Sequence, residues 1–130
     1  MSKPAGYHTI TPYLMLRDAA DAIEFYKRAF GATELMRQVL PDGKIQHAEI
    51  QIGDSQVMIA DESPRFQELR SLQSYGGSPM NMFLYVDDAD ATAKQAVAAG
   101  AKVIMEVQDK PYGRSGGVKD PYGLEWWVCS

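Results

Sequence analysis

A chain of 130 residues, 45% hydrophobic and 23% charged, is long enough for one globular domain with a buried core. The net charge of −4 and the scattered lysines and arginines argue against a nucleic-acid binder, which needs a basic stripe. No apolar run approaches the ~18 residues that span a bilayer, and the N-terminus lacks the apolar core of a signal peptide. The single cysteine, Cys129, allows no disulfide within the chain, so we expect a cytoplasmic protein with a buried structural thiol.

The first half of the chain is typical of a strand, a helix and three further strands. Asp18 is the expected N-cap of the helix, and Gly31 follows its C-cap. Between them, apolar residues at helical spacing form a face broad enough to lie on a sheet. Three strand-like runs follow at 33–40, 44–52 and 56–60, separated by turns that contain Gly and Asp.

The second half repeats this order of elements. Residues 83–101 match 14–32, because each segment passes from an apolar strand through Asp into an Ala-rich helix and ends at Gly-Ala. Asp87 or Asp88 is the expected N-cap here, and Gly100 follows the C-cap. The strand-like runs after this helix lie at 102–108, 114–119 and 124–129.

This self-similarity predicts an α+β fold of two tandem βαβββ units, at about 9–60 and 80–129, within a single domain over residues 1–130. The polar segment 61–79 is the expected linker, and 64–72 within it is a candidate short helix.

Two such units in tandem resemble the vicinal oxygen chelate superfamily, also called the glyoxalase, bleomycin-resistance and dioxygenase family. The resemblance covers essentially the whole chain and is carried by TPYLMLRDAADAIEFYKRAFGA, HAEIQIGDSQVMIADE and SGGVKDPYGLEWW. These stretches look most like the PhnB-like or glyoxalase-like branch. The resemblance implies a curved mixed sheet around a cavity, with the helices on the outside. It does not imply one reaction, because the fold serves isomerases, thiol transferases, dioxygenases and drug-sequestering proteins.

In that superfamily each half-sheet has two metal-ligand positions, one on its first strand and one on its last. Residue-by-residue matching with the family puts these positions at Thr11, Ile59, Asn81 and Trp127. Ile and Trp cannot ligate a metal, and two oxygen donors alone would not hold zinc or nickel. The resemblance therefore implies a degenerate metal site, and we expect no metal ion and no other cofactor.

Strand alternation predicts which side chains line the cavity. In KIQHAEIQI, Ala48, Ile50 and Ile52 form the side that packs on the helix, so His47 and Glu49 face the cavity or water. His47 and Glu49 are candidate catalytic residues as an acid–base pair, and the alternative is a solvated strand face. The candidate ligand-binding residues are Thr11, Tyr13, Ile59, Asn81, Phe83, Arg114, Glu125 and Trp127.

Two of these candidates depend on further assumptions. The planar guanidinium of Arg114 can clamp an anionic group, or it can lie exposed at a hairpin turn. Trp127 is expected to face the cavity, with Trp126 on the opposite face against the helices or a partner chain.

Three functions are compatible with the predicted fold and its candidate site residues. The favoured one is a metal-free protein that binds a flat or hydrophobic small molecule in an aromatic-lined pocket. The alternatives are a metal-independent lyase or isomerase that uses His47 and Glu49, and a metal-dependent glyoxalase-like enzyme with its ligands elsewhere. The expected partner is a small molecule, with neither nucleic acid nor membrane. The resemblance also implies a homodimer whose halves pair within a chain or across chains.

Overall fold

The computed structural model describes residues 3–63 and 70–130. Its first half contains β1 (Tyr13–Leu16), α1 (Ala19–Phe30), β2 (Thr33–Val39), β3 (Ile45–Ile52) and β4 (Ser55–Asp61). A short helix, α2 (Leu72–Tyr75), leads into the second half. That half contains β5 (Met82–Tyr85), α3 (Ala89–Ala99), β6 (Lys102–Lys110), β7 (Gly113–Lys119) and β8 (Glu125–Cys129).

Each half forms a four-stranded mixed sheet of its own. The strand orders are β1-β4-β3-β2 and β5-β8-β7-β6, so each first strand pairs with the last strand of its unit. These pairs, β1 with β4 and β5 with β8, are parallel, and the other neighbours are antiparallel. The predicted α+β class and the tandem βαβββ order are therefore confirmed.

The two long helices begin with different caps. Asp88 accepts a hydrogen bond from the backbone N–H of Ala91 at 3.0 Å, as expected for the N-cap of α3. Asp18 occupies the same position in α1 but makes no side-chain cap bond. Asp61, at the end of β4, takes that role by accepting from the backbone N–H of Ala19 at 2.9 Å. The expected linker thus begins after Asp61.

Of the candidate helix over 64–72, the structure describes only residues 70–72. Residues 64–69 lie outside the described residues, and the helix that is seen, α2, begins at Leu72.

The core joins the two halves through α1. The ring centroids of Tyr26 and Phe30 lie 5.2 and 4.7 Å from that of Trp126 in β8. Asp120, only 4% exposed, accepts hydrogen bonds from the Tyr26 hydroxyl at 2.6 Å and the Trp126 indole N–H at 2.9 Å. It also accepts from two backbone N–H groups of its own turn, those of Tyr122 and Leu124. The Asp-Pro-Tyr-Gly turn is therefore a structural junction, because its carboxylate satisfies four buried donors.

The helices cover one side of each sheet. α1 and α3 contact each other, and each packs on its own sheet. Within residues 3–63 and 70–130, no strand of one half is hydrogen-bonded to a strand of the other. Both sheets turn one side to the helices, so their other sides, here called the first and second open faces, point away from that layer. No helix in the described ranges is long and apolar enough to cross a membrane.

Candidate functional site

The first open face carries polar and sulfur-containing side chains in a row across the sheet. Tyr13, Met58, Glu49 and Met36 are register partners on neighbouring strands, so their side chains project on the same side. His47 lies two residues before Glu49 on β3 and therefore shares this side. Tyr13, His47 and Glu49 were each expected to line the cavity, and the structure brings these three side chains together.

Glu49 is the centre of a hydrogen-bonded network. Its Oε1 accepts from the Tyr7 hydroxyl, and its Oε2 lies 2.8 Å from Nε2 of His47. The other ring nitrogen of His47, Nδ1, lies 3.4 Å from the Tyr13 hydroxyl, and the two rings meet edge to face at 5.5 Å. Four side chains from three separate segments thus form one chain of polar contacts.

The network shifts the pKa of two of its members, Glu49 and Tyr7. The hydrogen bond from Tyr7, and a weaker contribution from His47, lower the pKa of Glu49 against the opposing effect of burial. The same bond to Glu49, together with partial burial, raises the pKa of Tyr7. At neutral pH Glu49 is therefore a carboxylate and Tyr7 remains a hydroxyl donor.

Tyr7 is a site residue that the sequence analysis missed. It lies ahead of β1 in a segment without strand or helix periodicity, 42 residues from Glu49. Because no local pattern marks such a contact, the sequence contains no signal that would have found it.

The second open face is aromatic. Phe83, Trp127 and Gly117 are register partners on β5, β8 and β7. A Cβ added at Gly117 would lie 2.6 Å from the Trp127 ring, so the indole rests directly on the glycine backbone. Phe83 is 48% exposed and Tyr85 is 85% exposed, with their ring centroids 5.3 Å apart. Exposed aromatic side chains grouped on one face of a sheet mark a candidate binding surface.

The two tryptophans separate as alternation predicted. Trp126 is fully buried against the helix layer, whereas Trp127 is half-buried on the second open face. Cys129 is a buried free thiol, which confirms the expected environment of the single cysteine.

Two of the predicted site residues lie elsewhere. Ile59 pairs with Leu14 and Ala48 and is fully buried on the helix side, so the expectation that its side chain lines the ligand cavity was wrong. Met58 occupies the open face in its place. Arg114 does not point to an open face: its guanidinium binds Asp90 at the start of α3 and Asp109, at 3.0 and 3.1 Å. These two carboxylates already occupy the donors that an anionic ligand would need.

The remaining candidates lie at the margins of the open faces. Thr11 is half-buried just before β1, and its hydroxyl donates to the carbonyl of His8 at 3.5 Å. Asn81 is exposed immediately before β5. Glu125 is half-buried beside Trp127, two residues earlier on β8 and opposite Lys119.

Comparison with known proteins agrees with this architecture. The sequence model of the Glyoxalase/Bleomycin resistance protein/Dioxygenase superfamily matches residues 7–128. The chain belongs to this superfamily. The uncharacterized protein Rv0887c of Mycobacterium tuberculosis is 42% identical over 120 residues, which cover 90% of this chain and 71% of that protein.

Solved structures give the same result. The X-ray structure of the Arabidopsis thaliana At5g48480 product superposes with a TM-score of 0.77 at 26% identity, covering 95% of this chain and 99% of that one. TnmS3, an antibiotic binding protein from Streptomyces sp. CB03234, superposes with a TM-score of 0.71 at 22% identity, covering 98% of each chain. At that identity the second likeness shows the fold alone.

The residues that the family resemblance matches to metal positions carry no charged metal ligand. With Met58 on the open face in place of Ile59, the residues that the resemblance implies as metal positions become Thr11, Met58, Asn81 and Trp127. A hydroxyl, a thioether, an amide and an indole offer no charged ligand, and the indole cannot ligate at all. Within the described ranges, no three His, Cys, Asp or Glu side chains are grouped so that they could hold an ion.

Proposed function

We propose that this protein binds a flat, largely apolar small molecule without the help of a metal ion, and that the ligand stacks on Trp127. The observation that carries the proposal is the indole lying on Gly117, beside the exposed rings of Phe83 and Tyr85. Stacking on a preformed aromatic surface is a common way to hold planar ligands. Membership of a superfamily that includes bleomycin resistance proteins supports a binding role.

We further propose that the ligand site is completed in a homodimer. The two open faces of one chain lie on the sides of the sheets away from the helices, and each leaves large hydrophobic side chains exposed, such as Tyr13 and Tyr85. A two-fold axis can bring the first open face of one copy opposite the second open face of the other. This arrangement covers both faces and forms two equivalent pockets, each with a polar wall and an aromatic wall.

The direct test is a titration with 7-methoxycoumarin, a flat bicyclic probe. The chain has two tryptophans and seven tyrosines, so fluorescence excited at the red edge of the absorption band, where tyrosine does not absorb, reports on Trp126 and Trp127. We expect a saturable change in emission that Trp127→Phe removes for the most part, while the matched Trp126→Phe variant retains it. A change that depends on Trp126 instead, or no saturable change, contradicts the proposal. Native mass spectrometry of gently purified protein would then identify a co-purified ligand.

Metal independence has a separate test. We expect elemental analysis of the purified protein to find no stoichiometric transition metal, because the four superfamily positions lack charged ligands. About one zinc, nickel, manganese or iron per chain, lost on chelation together with coumarin binding, would overturn this part of the proposal.

Metal-independent acid–base chemistry at His47 and Glu49 is a second candidate function. The 2.8 Å contact between their side chains favours it, because a carboxylate that orients an imidazole is the usual partner of a histidine base. A search for turnover would compare the wild-type protein with His47→Gln, which we expect to be inactive.

A further inference from the structure

We propose that the first open face is a proton-accepting subsite for an acidic hydroxyl, phenolic or enolic, on the bound molecule, and that Nδ1 of His47 is the accepting atom. This inference rests on the proposed small-molecule function and adds the chemical class of the ligand. It follows from the contacts of His47 with Glu49 and Tyr13.

The contact with Glu49 determines the tautomer of His47. Oε2 of Glu49 lies 2.8 Å from Nε2, and an ionised carboxylate can only accept a hydrogen bond. Nε2 must therefore carry a hydrogen, so in the neutral ring Nδ1 has the free lone pair. Tyr7 donates to the other oxygen of Glu49 and thereby holds the carboxylate in this position.

The lone pair on Nδ1 is available to a ligand. Its neighbour, the Tyr13 hydroxyl, lies 3.4 Å away, beyond the usual range of a strong hydrogen bond. The His47 side chain is 24% exposed and Tyr13 is 47% exposed, so both can be reached from the open side of the sheet. A ligand hydroxyl can thus bind between Nδ1 and the Tyr13 hydroxyl.

The proton transfer balances within this group of atoms. The O–H bond of the ligand breaks, an N–H bond forms at Nδ1, and the electron pair stays on the ligand oxygen. The resulting imidazolium lies between the Glu49 carboxylate on Nε2 and the new oxyanion on Nδ1. The Tyr13 hydroxyl, a donor beside Nδ1, can then donate to that oxyanion.

The strands beside His47 and Glu49 contribute neutral register partners. Gln38 of β2 is its neutral cross-strand partner, and Met58 of β4 is the neutral partner of Glu49. The N-terminal segment contributes Tyr7, and β1 contributes Tyr13. Among these neighbours in the described part of the chain, Glu49 is the charged one, and its carboxylate contacts Nε2 of the ring.

The experiment compares 7-hydroxycoumarin with the 7-methoxycoumarin used above, which has no proton to give up. The absorption band of the hydroxycoumarin phenolate is followed at a pH where the free dye is mostly neutral, with protein in excess. We expect the bound dye to have a phenolate-to-phenol ratio at least ~10-fold above that of the free dye, equivalent to about one pKa unit. The His47→Gln variant should lose this increase.

Control variants at residues of the same type show whether the effect depends on His47 and Tyr7. His8→Gln changes the chain's other histidine, which is exposed, and should leave the ionised fraction at the wild-type level. Tyr7→Phe should reduce the fraction, because Tyr7 acts through Glu49 as a positioning residue, whereas Tyr112→Phe on the surface should not. If His47→Gln does not fold, as judged by circular dichroism, Glu49→Gln replaces it with the same expected loss.

The outcomes separate this inference from the proposed function. Binding of 7-methoxycoumarin with 7-hydroxycoumarin remaining neutral would overturn the proton-accepting subsite and leave the stacking proposal intact. Ionisation that persists without His47 would also overturn it. If neither coumarin binds, both the subsite and the stacking proposal are wrong.

Discussion

At the scale of single residues, the second open face depends on the absence of one side chain. Gly117 lies outside the left-handed region of backbone conformation, so its role is steric rather than conformational. A Cβ at this position would approach three atoms of the Trp127 ring at 2.6 to 2.9 Å, closer than real contacts allow. The glycine therefore lets the indole lie flat on the sheet, where a ligand can stack on it.

We predict that Gly117→Ala displaces the Trp127 ring. Overpacking of this kind should lower the free energy of unfolding by about 1–3 kcal/mol, measured by urea denaturation. The affinity for 7-methoxycoumarin should fall as well, because the stacking surface is tilted. In a Trp127→Ala background the same change has no ring to displace, so its cost should largely disappear. Equal costs in the two backgrounds would show that the indole is not the obstacle.

At the scale of elements, the start of α1 is held by a carboxylate from the far end of its own unit. Asp61 accepts from the backbone N–H of Ala19 at 2.9 Å and, through its second oxygen, from that of Ile45 at 2.7 Å. One side chain thus joins α1, β3 and β4. The equivalent place in the second unit is taken by Ser130, whose hydroxyl lies 3.1 Å from the backbone nitrogen of Ala89.

We predict that Asp61→Ala lowers the free energy of unfolding by about 1–3 kcal/mol, because two backbone donors lose their acceptor. The matched variant Asp18→Ala should cost less than half as much, since Asp18 makes no side-chain cap bond. Thermal or urea unfolding of the two variants side by side is the measurement. A larger loss for Asp18→Ala would mean that the helix is capped as the sequence alone suggested.

The second element-level prediction concerns α2 and pH. The backbone N–H of Ser71, at 2.8 Å, and the Ser74 hydroxyl, at 2.7 Å, are the main donors that lower the pKa of Glu62 from 4.5 to about 2. Since the pKa is lower in the folded state, the stabilisation is complete above pH 4.5 and is lost as the pH falls toward 2.

The Glu62→Gln variant should therefore lose stability less steeply than the wild type between pH 4.5 and pH 2. Urea midpoints at a series of pH values within this window give the comparison. Glu106→Gln, at an exposed site on β6, is the control and should follow the wild-type curve. A Glu62→Gln curve parallel to the wild-type curve would contradict the assigned role.

At the scale of the whole molecule, both open faces keep large hydrophobic side chains exposed within the described residues, among them Tyr13, Phe83 and Tyr85. We predict a homodimer of about 29 kDa, twice the chain mass of 14.4 kDa, measured by light scattering at micromolar concentration. Tyr85→Glu puts a charge on the second open face and should shift the mass toward that of one chain, whereas Val97→Glu on α3 should not. A wild-type species of 14.4 kDa that still binds 7-methoxycoumarin would contradict the dimer.

The sequence by itself determined the features that depend on near neighbours. Helical spacing and the Gly after each helix predicted α1 and α3, and the repeated order of elements predicted two βαβββ units. Alternation along β3 and β8 correctly assigned His47, Glu49 and Trp127 to the faces opposite the buried residues. These inferences succeeded because periodicity and capping are set by backbone geometry within a few residues.

Only the tertiary structure decided which distant groups meet. Tyr7 reaches Glu49, Asp61 rather than Asp18 caps α1, and Arg114 is paired with Asp90. In each case the partner is chosen by the path of a separate segment, which no local pattern records. The register of β4 could also be determined only from the structure, because a shift of one residue exchanges the two faces of a strand. The site therefore forms only when separate segments pack together, although the sequence predicts the secondary structure of each segment.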